Sequence, residues 1–221
     1  CKICDSENLI SLYKVENLPL FQNKVYNSFA EAKSQKVVSV DLCQCQECGF
    51  VFNDLFTNEN MDYDDSYQNE QNYSQYFVDY LNEIADYLIE NNFQDKKIAE
   101  IGCGKGYFLD LLSRRGIDIT GFDPAYEGDD PRVRREAFSP GIIDHARGVV
   151  LRHVLEHIPQ PIDFLRTISA ANGNAGRIYI EVPCFDWICQ HRAWFDIFYE
   201  HVNYFRIADF HRWFGTVVES G

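Results

Sequence analysis

The chain has 221 residues and a formal net charge of −14, from 34 acidic and 20 basic residues. This length accommodates one full α/β domain and a small additional module. An acidic protein repels polyphosphate, so nucleic acid is not expected as the main substrate. No apolar run approaches the roughly 20 residues of a membrane helix. No signal peptide opens the chain, and we therefore expect a cytoplasmic protein without membrane contact.

The cysteines are concentrated near the N-terminus, where five of the eight lie in the first fifty residues. In a cytosolic chain, this clustering indicates a metal site rather than disulfides. Cys1 and Cys4 form one Cys-x-x-Cys pair, and Cys45 and Cys48 form a second. Two such pairs predict a structural Zn²⁺ site with four thiolate ligands and no open position, covered by a hairpin or loop. Cys43 is an alternative ligand, and redox-active surface cysteines are the competing interpretation.

A polar, tyrosine-rich segment follows between residues 53 and 74, and its composition predicts a surface loop or lid. Tyr63, Tyr67 and Tyr73 are its candidate contacts with a cofactor or substrate, and a simple linker is the competing interpretation. The next segment predicts a helix from Ser74 to Asn91, because its apolar residues recur at three- and four-residue spacing.

The strongest motif is the stretch over residues 97–112, KIAEIGCGKGYFLDLL. A short apolar strand ends in Gly102, Gly104 and Gly106, and an amphipathic helix follows at once. This order of strand, glycine turn and helix brings backbone N–H groups against a ligand, so it predicts a nucleotide-cofactor site. The acidic Glu100 lies at the end of the strand, two residues before the first glycine.

A second strand is predicted to end at Asp123 and Pro124, about twenty residues after the glycine turn. A carboxylate at that position can accept both ribose hydroxyl groups of an adenosine, and a turn-forming aspartate is the competing interpretation. The later predicted elements are an edge strand over 132–138, a strand over 147–151, a helix from Pro161, a strand over 177–182, a helix over 206–214 and a strand over 216–219. This alternation predicts a doubly wound, Rossmann-like α/β fold with a parallel sheet.

An acidic residue before Gly-x-Gly-x-Gly and a second acid at Asp123 resemble the motifs of class I S-adenosylmethionine-dependent methyltransferases. The resemblance implies that the glycine turn contacts the methionine part of the cofactor and that Asp123 holds its ribose. The segment over 149–161, VVLRHVLEHIPQP, resembles the family's fourth motif, below the methyl donor, and Phe138 falls at its adenine contact. The implied cofactor residues are Tyr73, Glu100, Gly102, Gly104, Gly106, Asp123, Pro124, Phe138, Arg152 and His153.

Over almost its whole length, the chain resembles a narrower group, the zinc-binding methyltransferases of sugar metabolism. That group includes the C-methyltransferases of nucleotide-linked deoxysugars. The similar features are the two cysteine pairs, the tyrosine-rich segment, the cofactor domain and the run FYEHVNYF over 198–205. The deoxysugar enzymes have Tyr-His-Glu-His where this chain has Phe-Tyr-Glu-His, so transfer to carbon, oxygen or nitrogen stays open. The resemblance implies a carbohydrate acceptor.

Methyl transfer from a sulfonium requires an aligned nucleophile, and a base where that nucleophile carries a proton. Histidine is the usual base near neutral pH, with a carboxylate to orient it. His157 follows the fourth predicted strand, and Glu200 and His201 follow the fifth. These three residues are therefore the catalytic candidates, with structural roles in the loops as the competing interpretation.

These features predict a zinc-binding module over 1–55, a lid or linker with a helix over 56–92, and a methyltransferase domain over 93–221. The alternatives are a methyltransferase of another small metabolite, a non-catalytic cofactor-binding or zinc-dependent interaction protein, and a nicotinamide-dependent oxidoreductase. Because the chain begins at a candidate zinc ligand and ends beside a predicted strand, we expect it to be part of a longer protein.

Overall fold

The structure is a computed structural model that describes residues 1–59, 61, 72–91, 93, 97–139, 147–218 and 220. Tyr63 and Tyr67 lie outside the described residues. The chain forms two compact units. The first comprises Cys1–Asp62, Leu155–Ile162 and Val182–Gly221, and the second comprises Tyr63–Val154 and Asp163–Glu181. Packing thus groups residues 182–221 with the N-terminal segment, whereas the division at residues 55 and 92 stays a prediction from sequence.

The secondary structure follows the predicted alternation through the middle of the chain. In chain order, the elements are β1 (Leu9–Pro19), α1 (Phe29–Lys33), β2 (Val37–Cys45), β3 (Val51–Asn53), α2 (Gln75–Glu90), β4 (Ile98–Ile101), α3 (Tyr107–Arg114), β5 (Ile119–Phe122), β6 (Val133–Arg134), β7 (Gly148–Arg152), α4 (Pro161–Ala171), β8 (Arg177–Glu181), α5 (Phe185–His191), β9 (Asn203–Tyr204) and α6 (Ile207–Trp213). Short 3-10 helices cover Leu155–His157 and Trp194–Asp196.

The second unit is built on a five-stranded parallel sheet in the order β6-β5-β4-β7-β8. The chain moves outward from β4 through β5 to β6, and then returns to the other side of β4 for β7 and β8. This is the doubly wound arrangement, in which ligands bind beyond the carboxyl ends of the strands where the direction reverses. That point lies between β4 and β7, and the glycine turn follows β4 directly.

Helices α2 and α3 cover apolar side chains of this sheet. Leu81 and Leu88 of α2 and Leu109 of α3 belong to one buried cluster with Ile98 of β4 and Val150 of β7. Because both helices present apolar residues at three- and four-residue spacing, each buries one stripe against the strands. The packing therefore holds the first turn of α3 firmly against the end of β4.

The first unit is built on an antiparallel sheet in the order β1-β2-β3-β9. Strands β1 and β2 form the hairpin that was predicted between the two cysteine pairs. Strand β9 pairs with β3 through Val51 and Tyr204, so a stretch late in the sequence completes a sheet that begins at residue 9. Val51 and Tyr204 also lie in the buried cluster of this unit, together with Val40, Leu42 and Ile188.

The predicted strand over 216–219 is wrong for its described residues. Helix α6 ends at Trp213, and residues 216–218 have no regular structure. The side chain of Val218 is 70% exposed. The short apolar pair of Val217 and Val218 therefore lacks the burial that stabilises a strand. Among the residues that the structure describes, no helix is both long enough and apolar enough to cross a membrane.

Candidate functional site

The glycine turn after β4 has a backbone conformation that favours glycine at three positions. Gly102, Gly104 and Gly106 have φ values of 69°, 54° and 82°, in the left-handed region. A Cβ atom at Gly102 would lie 2.3 Å from Cγ2 of Val154, so a side chain there would displace its neighbour. The three glycines therefore give the turn positions without side chains at the start of α3, where the helix dipole favours polar and anionic ligand groups. Their own N–H groups are used within the protein: Gly102 donates to the backbone oxygen of Phe122 at 2.8 Å, and Gly106 to that of Cys103 at 2.9 Å.

Asp123 holds the turn closed from the end of β5. Its Oδ2 accepts the backbone N–H of Gly104 at 2.8 Å, and its Oδ1 accepts that of Ala125 at 2.9 Å. Burial raises the pKa of Asp123, although both N–H groups oppose that change. A carboxylate offers about four lone-pair directions, so each oxygen can accept another hydrogen bond. The predicted contact with ribose hydroxyl groups stays a prediction that these unused lone pairs permit.

Glu100 is a buried acid two residues before the turn, with 2% of its surface exposed. Burial raises its pKa to about 8, with the charge of Arg152 lowering it and that of Asp123 raising it further. The carboxyl group is therefore mostly protonated at neutral pH and can donate as well as accept. Its buried Oε2 has no hydrogen-bond partner among the described residues. A buried polar group of this kind, next to a glycine turn, suits a polar ligand.

Arg152 and His153, at the end of β7, share one partner on β8. Nε of Arg152 lies 2.7 Å from Oε2 of Glu181, and Nε2 of His153 lies 3.0 Å from its Oε1. The guanidinium group also lies over the ring of Phe108, 4.6 Å from the centroid. Burial opposes ionisation of Glu181, but the hydrogen bond from His153 and the charge of Arg152 outweigh it and lower the pKa to about 2. Sequence analysis missed Glu181, although its position at the end of a predicted strand was a usable signal.

The other predicted cofactor residues lie in different environments. Phe138 is buried with its ring edge-on to Phe122, with 5.6 Å between the ring centroids. Pro124 is exposed, and the side chain of Tyr73 is 82% exposed. Their roles toward a cofactor stay predictions.

The four cysteines predicted to bind zinc lie together in the first unit. Their Sγ atoms are all within 4.8 Å of one another, with 3.6 Å between Cys1 and Cys48 and 3.5 Å between Cys4 and Cys45. Thiolates about 2.3 Å from a tetrahedral Zn²⁺ are about 3.8 Å apart, so the donor set fits this ion closely.

Backbone N–H groups support these sulfur atoms. Burial opposes ionisation of Cys45, yet the backbone N–H groups of Cys48 and Glu47 and the Cys4 thiol outweigh it and lower the pKa to about 7. Donors of this kind are typical around metal-bound thiolates. Cys43 is not part of the group: its thiol lies 3.6 Å from Oδ1 of Asp41, and burial together with that carboxylate raises its pKa to about 11.

The three catalytic candidates come together in the first unit. Nδ1 of His157 lies 2.9 Å from the backbone oxygen of Glu200, and the rings of His157 and His201 are edge-to-face with 5.0 Å between centroids. Nδ1 of His201 lies 3.2 Å from the backbone oxygen of Asp196. The carboxylate of Glu200 accepts the backbone N–H of Gln22 at 2.6 Å. Glu200 therefore orients His157 through its main chain and anchors an N-terminal loop through its side chain.

Glu156 belongs with these residues, and sequence analysis missed it. Its side chain is 1% exposed, and one of its oxygens lies within 4.8 Å of ring nitrogens of His157 and His201. An acid directly before His157 was the available signal. Nδ2 of Asn203 donates to the backbone oxygens of Ile158 at 2.6 Å and Leu155 at 3.3 Å, which fixes the 3-10 helix that carries Glu156.

Comparison with known proteins gives one family match. A sequence model described as "Methyltransferase domain" matches residues 67–217. The ubiquinone biosynthesis O-methyltransferase of Aeromonas salmonicida (strain A449) is 31% identical over 103 residues, which cover 38% of this chain and 42% of that protein. The mitochondrial ubiquinone biosynthesis O-methyltransferase of Schizosaccharomyces pombe is 26% identical over 119 residues, 47% of this chain and 43% of that protein. The chain spans less than half the length of these relatives.

Two solved structures are similar over part of the chain. The plantazolicin methyltransferase BpumL, in complex with a triazolic desmethylPZN analog and SAH, has 17% identity and a TM-score of 0.48, covering 64% of this chain and 63% of that one. A SAM dependent methyltransferase from Archaeoglobus fulgidus has 18% identity and a TM-score of 0.41, covering 63% of this chain and 72% of that one.

The buried acid Glu100 predicts a pH-dependent stability. Its pKa is about 8 in the folded chain against an ordinary value of 4.5, so the unfolded chain ionises first and stability falls as pH rises from about 5 to 8. Glu100→Gln mimics the protonated acid and removes this loss. We compare the melting temperatures of the variant and wild type, both without cofactor. As pH rises from 5.5 to 8, the difference between them should change by several degrees in favour of the variant. If the melting temperatures of the two proteins changed in parallel with pH, the raised pKa of Glu100 would be contradicted.

The pair of Arg152 and Glu181 predicts a second stability effect. Arg152→Met leaves the carboxylate of Glu181, whose side chain is only 12% exposed, without its guanidinium partner, which costs about 3 kcal/mol. Adding Glu181→Gln should recover part of that loss in denaturant unfolding followed by circular dichroism. The exposed pair of Arg166 and Asp163, also in contact at 2.9 Å, provides the control, because Arg166→Met should cost about 0–1 kcal/mol. Equal effects of the two arginine variants would show that burial does not matter here.

Proposed function

Since the chain belongs to the methyltransferase-domain family, we propose that it transfers the methyl group of S-adenosylmethionine to a small-molecule acceptor. The observation that carries this proposal is the turn after β4. It combines three left-handed glycines with the closing carboxylate of Asp123 and the buried Glu100. Glycines without side chains, the carboxylate of Asp123 and the carboxyl group of Glu100, which can donate or accept, suit a cofactor with ribose hydroxyl and ammonium groups.

In this proposal, the residues of the second unit hold the cofactor. Gly102, Gly104 and Gly106 give the methionine part close access to the backbone, and Asp123 accepts hydrogen bonds from the ribose. Glu100 presents its buried carboxyl group to the same ligand. When bound, S-adenosylmethionine supplies a methyl group on a sulfonium that is open to attack by a nucleophile. Arg152 and His153, anchored by Glu181, keep the end of β7 in place beside the site.

His157 and His201 are the proposed proton acceptors. A carbonyl oxygen only accepts hydrogen bonds, so the Nδ1 atoms near Glu200 and Asp196 carry the ring protons. Each Nε2 then has a lone pair that can take a proton from an acceptor hydroxyl or from a carbon beside a carbonyl. Glu200 fixes the tautomer of His157 through its backbone oxygen.

A nucleotide-linked sugar or other carbohydrate is the acceptor class that we propose first. Support comes from the grouped cysteines and from the pairing of β9 with β3. The first unit thereby contains two of the features that resemble the zinc-binding sugar methyltransferases, the cysteine pairs and the run over 198–205. O-methylation of another small metabolite is the second candidate. It is favoured by the similarity to ubiquinone biosynthesis O-methyltransferases.

We further propose a structural Zn²⁺ on Cys1, Cys4, Cys45 and Cys48. Four thiolates close the coordination sphere, so the ion would stabilise the fold of the first unit and take no part in the reaction. A reducing, cytoplasmic setting belongs to this proposal, because oxidised cysteines cannot bind the ion.

Cofactor binding can be measured by calorimetry with S-adenosylmethionine, S-adenosylhomocysteine and NAD. We expect binding of the first two, and at least tenfold weaker binding by Asp123→Asn, because one carboxylate oxygen that accepts hydrogen bonds is lost. Asp163→Asn, on the exposed face of α4, is the matched control and should bind normally. Tight NAD binding without binding of the sulfonium cofactor would rule out the methyltransferase proposal.

Methyl transfer can be screened over nucleotide-linked sugars and over phenols, with S-adenosylhomocysteine formation as the readout. With the best acceptor, His157→Ala and His201→Ala should keep cofactor binding but lose about 10²–10⁴-fold in turnover, because the proposed proton acceptors are removed. His211→Ala, an exposed histidine of α6, serves as the control. Unchanged turnover in the first two variants would make His157 and His201 structural.

Zinc content tests the four-cysteine site. Cys4→Ser should lower the bound zinc by one ion per chain and reduce the melting temperature, since the thiolate set is then incomplete. Cys43→Ser should retain the zinc, because that thiol lies outside the group. Atomic emission analysis of freshly purified protein gives both values, and equal zinc in Cys4→Ser and wild type would refute the site.

A further inference from the structure

We propose that Glu156, His157 and His201 form a binding site for a divalent transition-metal ion in the first unit, separate from the four cysteines. A carboxylate oxygen and one nitrogen from each ring lie within 4.8 Å of one another. Three ligands at such spacing can reach one ion after small side-chain rotations, since metal–nitrogen and metal–oxygen bonds are about 2.0–2.2 Å long. This inference is independent of the methyl acceptor.

The orientation of the two rings suits metal binding. Nδ1 of His157 lies 2.9 Å from the oxygen of Glu200, and Nδ1 of His201 lies 3.2 Å from that of Asp196. Both Nδ1 atoms therefore donate to backbone carbonyls, and each Nε2 atom is then the ring nitrogen whose lone pair can bind an ion. Metal-binding histidines nearly always have this arrangement, in which the second ring nitrogen donates to an oxygen that fixes the ring.

The segments that carry the ligands are tied to each other by their main chains. The backbone N–H of Val202 donates to the oxygen of Glu156 at 2.8 Å, and Asn203 donates to the oxygens of Leu155 and Ile158. The ligand set is thus held together before any ion binds, which reduces the ordering cost of binding. The carboxyl group of Glu156 is buried, and a bound divalent cation would stabilise its ionised form.

The donor chemistry indicates the class of ion. Two imidazoles and one carboxylate suit Zn²⁺, Co²⁺ and Fe²⁺, whereas Mg²⁺ and Ca²⁺ prefer oxygen ligands alone. Three protein ligands also leave a coordination position open, unlike four thiolates. That position can take water or an oxygen atom of a small ligand, whose pKa the ion would lower. When the ion is bound, the two Nε2 lone pairs are no longer available as bases, so the proton removal proposed above belongs to the metal-free chain.

The test is metal titration of the full chain after treatment with a chelator. With Co²⁺, wild type should bind two ions, of which only one shows the intense charge-transfer absorption of cobalt thiolates. Glu156→Gln and His157→Gln should bind the thiolate-held ion normally and the other at least tenfold more weakly. Cys4→Ser should lose the charge-transfer absorption and keep the second ion, and His211→Gln, an exposed control, should bind two.

A measurement without mutation guards against variants that fail to fold. In wild type labelled with ¹⁵N-histidine, the second equivalent of Zn²⁺ should shift the Nε2 signals of two histidines and leave their Nδ1 atoms protonated. Binding of one ion only, or of a second ion that leaves every histidine signal unchanged, would overturn the proposal. Calorimetry with S-adenosylmethionine on the same samples distinguishes a failure of the metal site from a failure of the proposed methyltransferase function, because loss of the metal site leaves cofactor binding intact.

Discussion

The ligand turn of the second unit depends on the absence of a side chain at Gly102, where a Cβ would lie 2.3 Å from Val154. This close approach lets the end of β4 and the residues after β7 come together at the point where the strand order reverses. Asp123 then closes the turn from β5 through the N–H of Gly104. Backbone conformation, sheet order and one carboxylate thus act together, and the acidic groups lie next to glycines that carry no side chain.

The acids around this turn have opposite ionisation behaviour, and the difference arises from their partners. Glu181 is ionised because Arg152 and His153 contact it directly. Glu100 is more deeply buried and lacks such a contact at Oε2, and burial therefore raises its pKa. One buried acid is a fixed anion that positions its neighbours, and the other is a neutral group near pH 7. A cationic cofactor would thus meet less negative charge than the sequence suggests.

Much of the second unit could be predicted because its signals are local. Glycine spacing, an acid after the second strand and alternating strand and helix patterns are all visible within short windows, and they led to the turn, to Asp123 and to the order of elements. Glu181 and Glu156 were missed because their importance arises from contacts made in space. The strand expected over 216–219 was wrong because apolar residues alone do not form a strand without burial.

The first unit is assembled from three separate stretches of the chain, and its last strand, β9, pairs with β3 about 150 residues earlier. During synthesis, the hairpin of β1 and β2 can form early, but its sheet stays open at one edge until residues 203–204 emerge. Closing so long a loop is entropically costly and slow. The two histidines and Glu156 can meet only after that closure. The site in the first unit is thus built at the end of folding, so its chemistry appears only in a chain that has been made at least as far as β9.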